Sequence, residues 1–384
     1  MERLIIENFG GIANLELEIS SVNILIGPQA SGKSVSAKLL FFFKTFFNEI
    51  FKAIDAGDTK RDLDRKAIDR FVNYFPRDSW PKNDFTLQYI IGNDWLSISK
   101  KSKSPLRFDY SSGIKTLTTK CRSIYRSEQN KILKDPQKHF RAINNARNKY
   151  SNLLHDHFHK YAAYTQFFIP AGRSFYANVQ SGIFTFLSEN KSLDPFLIDF
   201  GSFYESFKKF AWRELKDNPT EADVIAFDQL INEILNGEYI REKEKDYLLH
   251  SDKRRVNLSN ASSGQQETLP LLIILKTLHS IKTTSPGSTL YIEEPEAHLF
   301  PTAQKRIVQL LARLVNQEDG DFQLIITTHS PYILAAFNNL IEAGKLKSVN
   351  TVNKSKLFSI VPAEETLDPG NIRAYSLNNG VKRI

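Results

Sequence analysis

The stretch GPQASGKS, Gly27 to Ser34, limits what this chain can fold into more than any other. It follows the apolar run SVNILI and opens residues 33–54, which contain neither Gly nor Pro. A glycine-bearing turn between a buried strand and a helix fits G-x-x-x-x-G-K-[ST], the pattern of a phosphate-cradling loop. Loop amides and a helix N-terminus supply partial positive charge where phosphates would lie. On this reading Gly27, Pro28, Gln29, Ala30, Ser31, Gly32, Lys33 and Ser34 surround a nucleotide. Lys33 would reach its outer phosphates, and the Ser34 hydroxyl would join the shell of a magnesium ion. Pro28 has no N–H, so the later amides make the cradle.

Three further segments bear on the same chemistry. TLYIEEPEAHLF, residues 289–300, places Glu293 and Glu294 at the end of an apolar strand. Phosphoryl transfer needs positioning and charge neutralisation, so one carboxylate would hold magnesium (Glu293) and the next would orient and deprotonate water (Glu294). Glu rather than Asp at 293 adds about 1.5 Å of reach, which a water-mediated magnesium contact absorbs. NLSNASSGQQE places Ser262, Ser263, Gly264, Gln265 and Gln266 at a helix start, equally readable as a second phosphate-binding turn or a plain helix cap. LIITTHSP delivers His329 at a strand end, where it would contact a γ-phosphate or serve the fold.

Strands alternating with helices in the first and last thirds argue for α/β layers with parallel pairing. RLIIENF and NLELEI read as an antiparallel pair, and residues 84–99 as a hairpin around Gly92-Asn93-Asp94. The phenylalanines of 33–54 occupy more than one helix face, so that helix is expected to be enclosed on several sides. Residues 118–165 and 182–250 read as mainly helical, separated by TQFFIPAGRSFY, a strand and turn. In that turn Arg173 would bind a phosphate or tie parts of the fold together. His155, His157 and His159 are read as part of a solvated basic helix.

Taken in order, the phosphate loop, the Ser-Gly turn, the acidic strand end and the histidine strand end resemble the ABC-type ATPases of the SMC, RecF and OLD-like branch. NFGGIANLELEI before GPQASGKS is similar to that branch's N-terminal lobe, SSGQQE to its signature, IEEPEAHLFP to its acidic strand, and TTHSPYIL to its histidine switch. FIPAGRS, residues 168–174, resembles a turn of OLD-like ATPases. The resemblance implies an α/β ATPase head with a mixed β-sheet, a P-loop core and helical insertions. It implies an N-terminal lobe over 1–117, a mainly helical insertion over 118–250 and a C-terminal lobe over 251–384. It further implies ATP and Mg2+ as cofactors, bound between two heads of a homodimer or higher homo-oligomer. Each nucleotide would be closed by the other subunit's Ser263 and Gly264, with Glu294 as base and His329 sensing the γ-phosphate. Gln166 is a candidate for the glutamine of the family's Q-loop. A nuclease Toprim domain, frequent in OLD-like proteins, is not expected in the 55 residues after His329. The expectation is therefore a slow ATPase of anti-phage defence acting on a separate effector, a nuclease or toxin. A RecF-like DNA-maintenance ATPase and an ATP-bound scaffold are the alternatives.

Charge bears on the partner. The chain carries 51 Lys and Arg against 43 Asp and Glu, a net +8. Residues 100–160 hold fifteen Lys or Arg against four Asp or Glu, a local +11 suited to nucleic acid or an acidic protein. The single cysteine, Cys121, excludes a disulfide framework within the chain and suits a reducing compartment. No run approaches the roughly 18–20 apolar residues of a membrane span, so a cytoplasmic protein is expected.

Overall fold

The computed structural model describes residues 2–131, 136–178, 193–214, 222–242, 245–280, 286–317, 321–378 and 381–383. The chain begins with the hairpin β1 (Glu2–Phe9) and β2 (Ile12–Ile19), turned at two glycines of positive φ, Gly10 and Gly11. β3 (Val22–Ile26) then runs into the phosphate loop and α1 (Lys33–Asp55). After α2 (Lys60–Tyr74) come β4 (Phe85–Ile91), β5 (Asp94–Lys100) and β6 (Arg107–Tyr110). These complete an antiparallel sheet of order β2-β1-β4-β5-β6. Its strands alternate buried and accessible positions, as expected where one face packs on a core.

α3 (Ser112–Asn130) and α4 (Pro136–Phe158) form a helical pair, and β7 (Thr165–Ile169) follows. Helices Pro195–Glu214 and Ala222–Leu235 lead to β8 (Glu238–Glu242), β9 (Lys245–Leu249) and β10 (Arg255–Asn257), a small antiparallel sheet. The helical reading of 182–250 therefore fails over 238–242 and 245–249. There EYIRE and KDYLL pair as a hairpin, with Tyr239 bonded to Asp246 across it. Alternation of this kind is easily lost among closely spaced charges.

The last third supplies the helix Ser263–Ser280, β11 (Ser288–Glu293), the helix Pro301–Val315, β12 (Phe322–Thr328) and the helix Pro331–Lys347. β13 (Ile372–Leu377) and β14 (Val381–Arg383) close the chain. A six-stranded sheet has the order β14-β13-β3-β12-β11-β7, parallel except at β14.

Alternate residues of this sheet feed two cores. Leu25, Phe168, Tyr291 and Ile325 join the cluster around α1, while Ile24, Leu290, Ile292 and Ile326 join the cluster under the C-terminal helices. α1 thus lies between the two sheets, which is why Phe41, Phe42, Phe43, Phe46, Phe47 and Phe51 are all buried although they face different ways. At its middle the buried Lys44 ammonium bonds Glu2 at 3.1 Å and Gln323 at 2.5 Å, tying β1, α1 and β12 together.

Candidate nucleotide site

Three parallel strands end on one edge of the six-stranded sheet. β12 lies between β3 and β11, with Thr328 opposite Ile26 and Thr327 opposite Glu293. The phosphate loop, the acidic pair and His329 are consequently neighbours, although the loop precedes the other two by more than 250 residues, at the carboxyl edge where open α/β sheets bind ligands.

The loop's glycines are set by space. A Cβ on Gly27 would lie 2.3 Å from the Leu377 carbonyl, and one on Gly32, whose φ is +92°, would lie 2.6 Å from Ile12. β13 and β2 therefore shape the loop from either side. Lys33 is buried, and its Nζ donates to the Gly27 carbonyl at 2.7 Å and the Pro28 carbonyl at 2.6 Å. Burial lowers its pKa, while Glu294 and Glu296 act in the opposite sense. Pro28, Gln29, Ala30 and Ser34 are exposed along the loop and the start of α1.

Glu293 is buried at the end of β11. Its Oε2 accepts the Ala171 N–H at 3.3 Å, and the nearby Ser34 hydroxyl favours its charged form. Burial raises its pKa, against the opposing pull of Lys38, Ser34 and the Ala171 N–H. Oε1 has no hydrogen-bond partner among the described residues. A buried carboxylate oxygen left over beside a serine hydroxyl fits a hard cation that takes few protein ligands and keeps oxygens from water and phosphate. Among the described residues no group of three His, Cys, Asp or Glu forms a dedicated metal cage.

Glu294 continues the ladder through its N–H to the Thr327 carbonyl, then turns with φ +45°. That left-handed turn directs the chain away from the strand and leaves the carboxylate about one third exposed, at 35%. Its Oε1 lies 3.7 Å from His329 Nδ1. Glu296, to which the sequence reading gave no role, is buried and accepts the Thr328 hydroxyl at 2.6 Å and the His329 N–H at 2.9 Å. Its Oε1 also lies 3.5 Å from His329 Nδ1. The signal was in EEPEAH itself: a third carboxylate just past the strand, in the turn that faces the neighbouring strand end.

The Ser-Gly turn is a capping box as well as a candidate contact. Ser262 N–H and Oγ–H donate to Gln265 Oε1, each at 3.1 Å, and Gln265 N–H returns to Ser262 Oγ at 3.3 Å. Gln265 is further fixed to the Leu235 carbonyl and Gln266 to those of Ser259 and Ala261. Ser263 stays exposed, and a Cβ on Gly264 would lie 2.7 Å from the His298 carbonyl. Among the described residues, none of the side-chain hydrogen bonds of 262–266 reaches the phosphate loop.

Two sequence candidates are placed elsewhere. Gln166 pairs with Thr289 near the opposite end of β7 and accepts from Tyr291, so it is remote from the loop. Arg173 is wholly buried and bonded to protein carbonyls, which leaves the structural of its two readings. The three histidines diverge: His155 faces Asp156, His157 faces Asp94 and His159 meets Tyr161.

A phosphate loop on a parallel sheet, with an acidic strand end and a histidine strand end beside it, defines a nucleoside-triphosphate-binding α/β domain. The chain belongs to the AAA ATPase domain family, whose model matches residues 1–334. No curated protein sequence matches it. Among solved structures it is similar in fold to an SMC head domain from Thermotoga maritima, at 12% identity and TM-score 0.40, covering 100% of this chain and 98% of the other. A second, an SMC head bound to the C-winged helix domain of ScpA, stands at 11% identity and TM-score 0.42, covering 100% and 96%. No helix among the described residues is long and apolar enough to cross a membrane.

Proposed function

We propose that the protein binds ATP with magnesium, hydrolyses it slowly and pairs through its nucleotide sites with a second copy, closing each site with the other subunit's Ser263 and Gly264. The convergence of Lys33, Ser34, Glu293, Glu294 and His329 on one sheet edge carries this reading. Ser34 and Glu293 would hold the cation, which when bound neutralises charge on the phosphates. Lys33 steadies the outer phosphates. Glu294, the more accessible carboxylate, orients water and takes its proton, and His329 beside it meets the γ-phosphate. Glu296 holds the histidine strand end in place. The division into lobes over 1–117 and 251–384 with an insertion over 118–250 belongs to the same proposal.

Single-turnover hydrolysis tests it. Glu294→Gln should keep ATP affinity and lose at least roughly 10²-fold in rate; a wild-type rate in that variant overturns the assignment. Binding without hydrolysis in the wild type would instead favour an ATP-held scaffold.

The biological role we propose is control of a separate effector, a nuclease or toxin, in prokaryotic anti-phage defence within the cytoplasm. The likeness of FIPAGRS and the ordered motifs to OLD-like ATPases supports it. A second reading, a DNA-binding ATPase of repair or maintenance, is favoured by one observation. Arg122, Arg126 and Lys131 line an open concavity along α3 and its C-terminal end with Thr119, Ser123, Ser127 and Asn130, and among the described residues no acidic one lines it. Duplex affinity falling steeply with salt would select the second reading. A stable effector complex without such affinity would select the first.

A further inference from the structure

Arg173 and Glu267 grip one another in a way that neither a nucleotide contact nor simple core packing accounts for. The Glu267 carboxylate accepts the Arg173 N–H at 2.9 Å through Oε1 and the Ser174 N–H at 2.8 Å through Oε2. In return the Arg173 guanidinium donates to the Glu267 carbonyl at 3.0 Å, to the Glu293 carbonyl at 2.8 Å and to the Glu294 carbonyl at 3.1 Å. A further bond to the Pro170 carbonyl at 2.7 Å locks its own loop. Both side chains are buried, and Nη2 also lies 3.4 Å from Glu267 Oε1. The same loop offers its Ala171 N–H to the Glu293 carboxylate. One buried cation thus joins three things: the loop after β7, the backbone of the acidic pair and the N-terminal part of the helix Ser263–Ser280.

Glu267 stands four residues after Ser263, on the same face of that helix. Any displacement of the Ser263–Gly264 turn is therefore delivered through Glu267 to Arg173, and from Arg173 to the carbonyls of Glu293 and Glu294. Buried charges joined this way resist partial rearrangement, because breaking one contact strands an unpaired group.

We infer that Arg173 and Glu267 are positioning residues: they set the Glu293–Glu294 pair of one site according to how the chain's Ser263–Gly264 turn has engaged the nucleotide of the other site. This rests on the proposed two-copy arrangement. It makes the two hydrolytic sites communicate through the interior of each subunit.

Arg173→Lys and Glu267→Gln in the full chain test this, with nucleotide affinity, kcat, KM, the Hill coefficient in ATP and the melting temperature measured together. Glu267→Gln retains shape and an acceptor, so it decides the matter should Arg173→Lys fail to fold. The expected result is ATP affinity within about twofold of wild type, kcat lower by roughly 10- to 100-fold and a Hill coefficient falling from above one to one. Unchanged kcat in a folded variant overturns the inference. So does a joint loss of affinity, rate and melting temperature in both, which marks a mere strut, or a wild-type Hill coefficient of one. Failure of the ATPase reading itself is read on other proteins: wild type that does not hydrolyse, or Glu294→Gln that does.

Discussion

Glu293 combines burial, a raised pKa and an oxygen without a partner among the described residues, and each of these opposes folding. A site kept at that cost is expected to relax when the charge is removed. Glu293→Gln should raise the melting temperature of the nucleotide-free protein by a few degrees and weaken magnesium-dependent ATP binding. Calorimetry with and without MgATP measures both, and a lower melting temperature without nucleotide would refute the account. Glu296 also has a buried oxygen, Oε2, without a partner among the described residues, but its Oε1 accepts both the Thr328 hydroxyl and the His329 N–H. Glu296→Ala strands the histidine N–H, an expected loss of about 1–3 kcal/mol in denaturant unfolding. Glu296→Gln can still accept and should recover most of it. Equal losses in the two variants would show that charge, not acceptance, matters at 296.

At the scale of elements, the legible parts were those whose pattern is local. The phosphate loop announced itself because Gly27 and Gly32 are demanded by close backbone approach and positive φ. The apolar runs of β3, β11 and β12 were equally clear, since strands buried on both faces need no alternation. β13 carries no such signal, yet it is parallel to β3 and its Leu377 carbonyl packs against Gly27. Nothing in NIRAYSL distinguishes an inner strand of the main sheet from a surface one. The Arg173–Glu267 contact was hidden for a related reason: 94 residues separate the partners, and neither sits in a periodic pattern. Helix packing yields a prediction of its own. His279 stacks on Phe227 and bonds Asp223 at 2.8 Å, while Arg313 bridges Asp223 and Glu365. Burial, with a smaller contribution from Arg313, lowers the pKa of His279 from 6.5 against the raising effect of Asp223. The unfolded chain then takes up this proton before the folded one does. Stability contributed here is present above about pH 6.5 and falls as pH drops toward the lower folded value. Melting temperature between pH 7 and 5 should show that slope, and His279→Gln should flatten it; an unchanged slope would exclude the residue as its source.

For the whole molecule, the remaining question is what meets the nucleotide edge. Two large aromatic side chains stand out there. Phe300 is 75% exposed at the start of the helix Pro301–Val315, six residues after Glu294, and Tyr332 is 55% exposed three residues after His329. Large apolar groups held in solvent beside a charged site suit an interface that forms only when the site is filled. In the background of Glu294→Gln, which traps bound ATP on the proposed mechanism, a second copy should be retained on addition of MgATP. Phe300→Ala should then weaken that dimer by roughly tenfold or more, about 1.4 kcal/mol. Phe140, 69% exposed on α4 and away from the site, provides the comparison. Phe140→Ala removes as much exposed aromatic surface from a different part of the molecule and should leave the dimer constant unchanged. Sedimentation velocity over a concentration series reads both variants on one scale. Equal weakening by the two substitutions, or none by either, would place the contact between copies elsewhere than at the nucleotide edge.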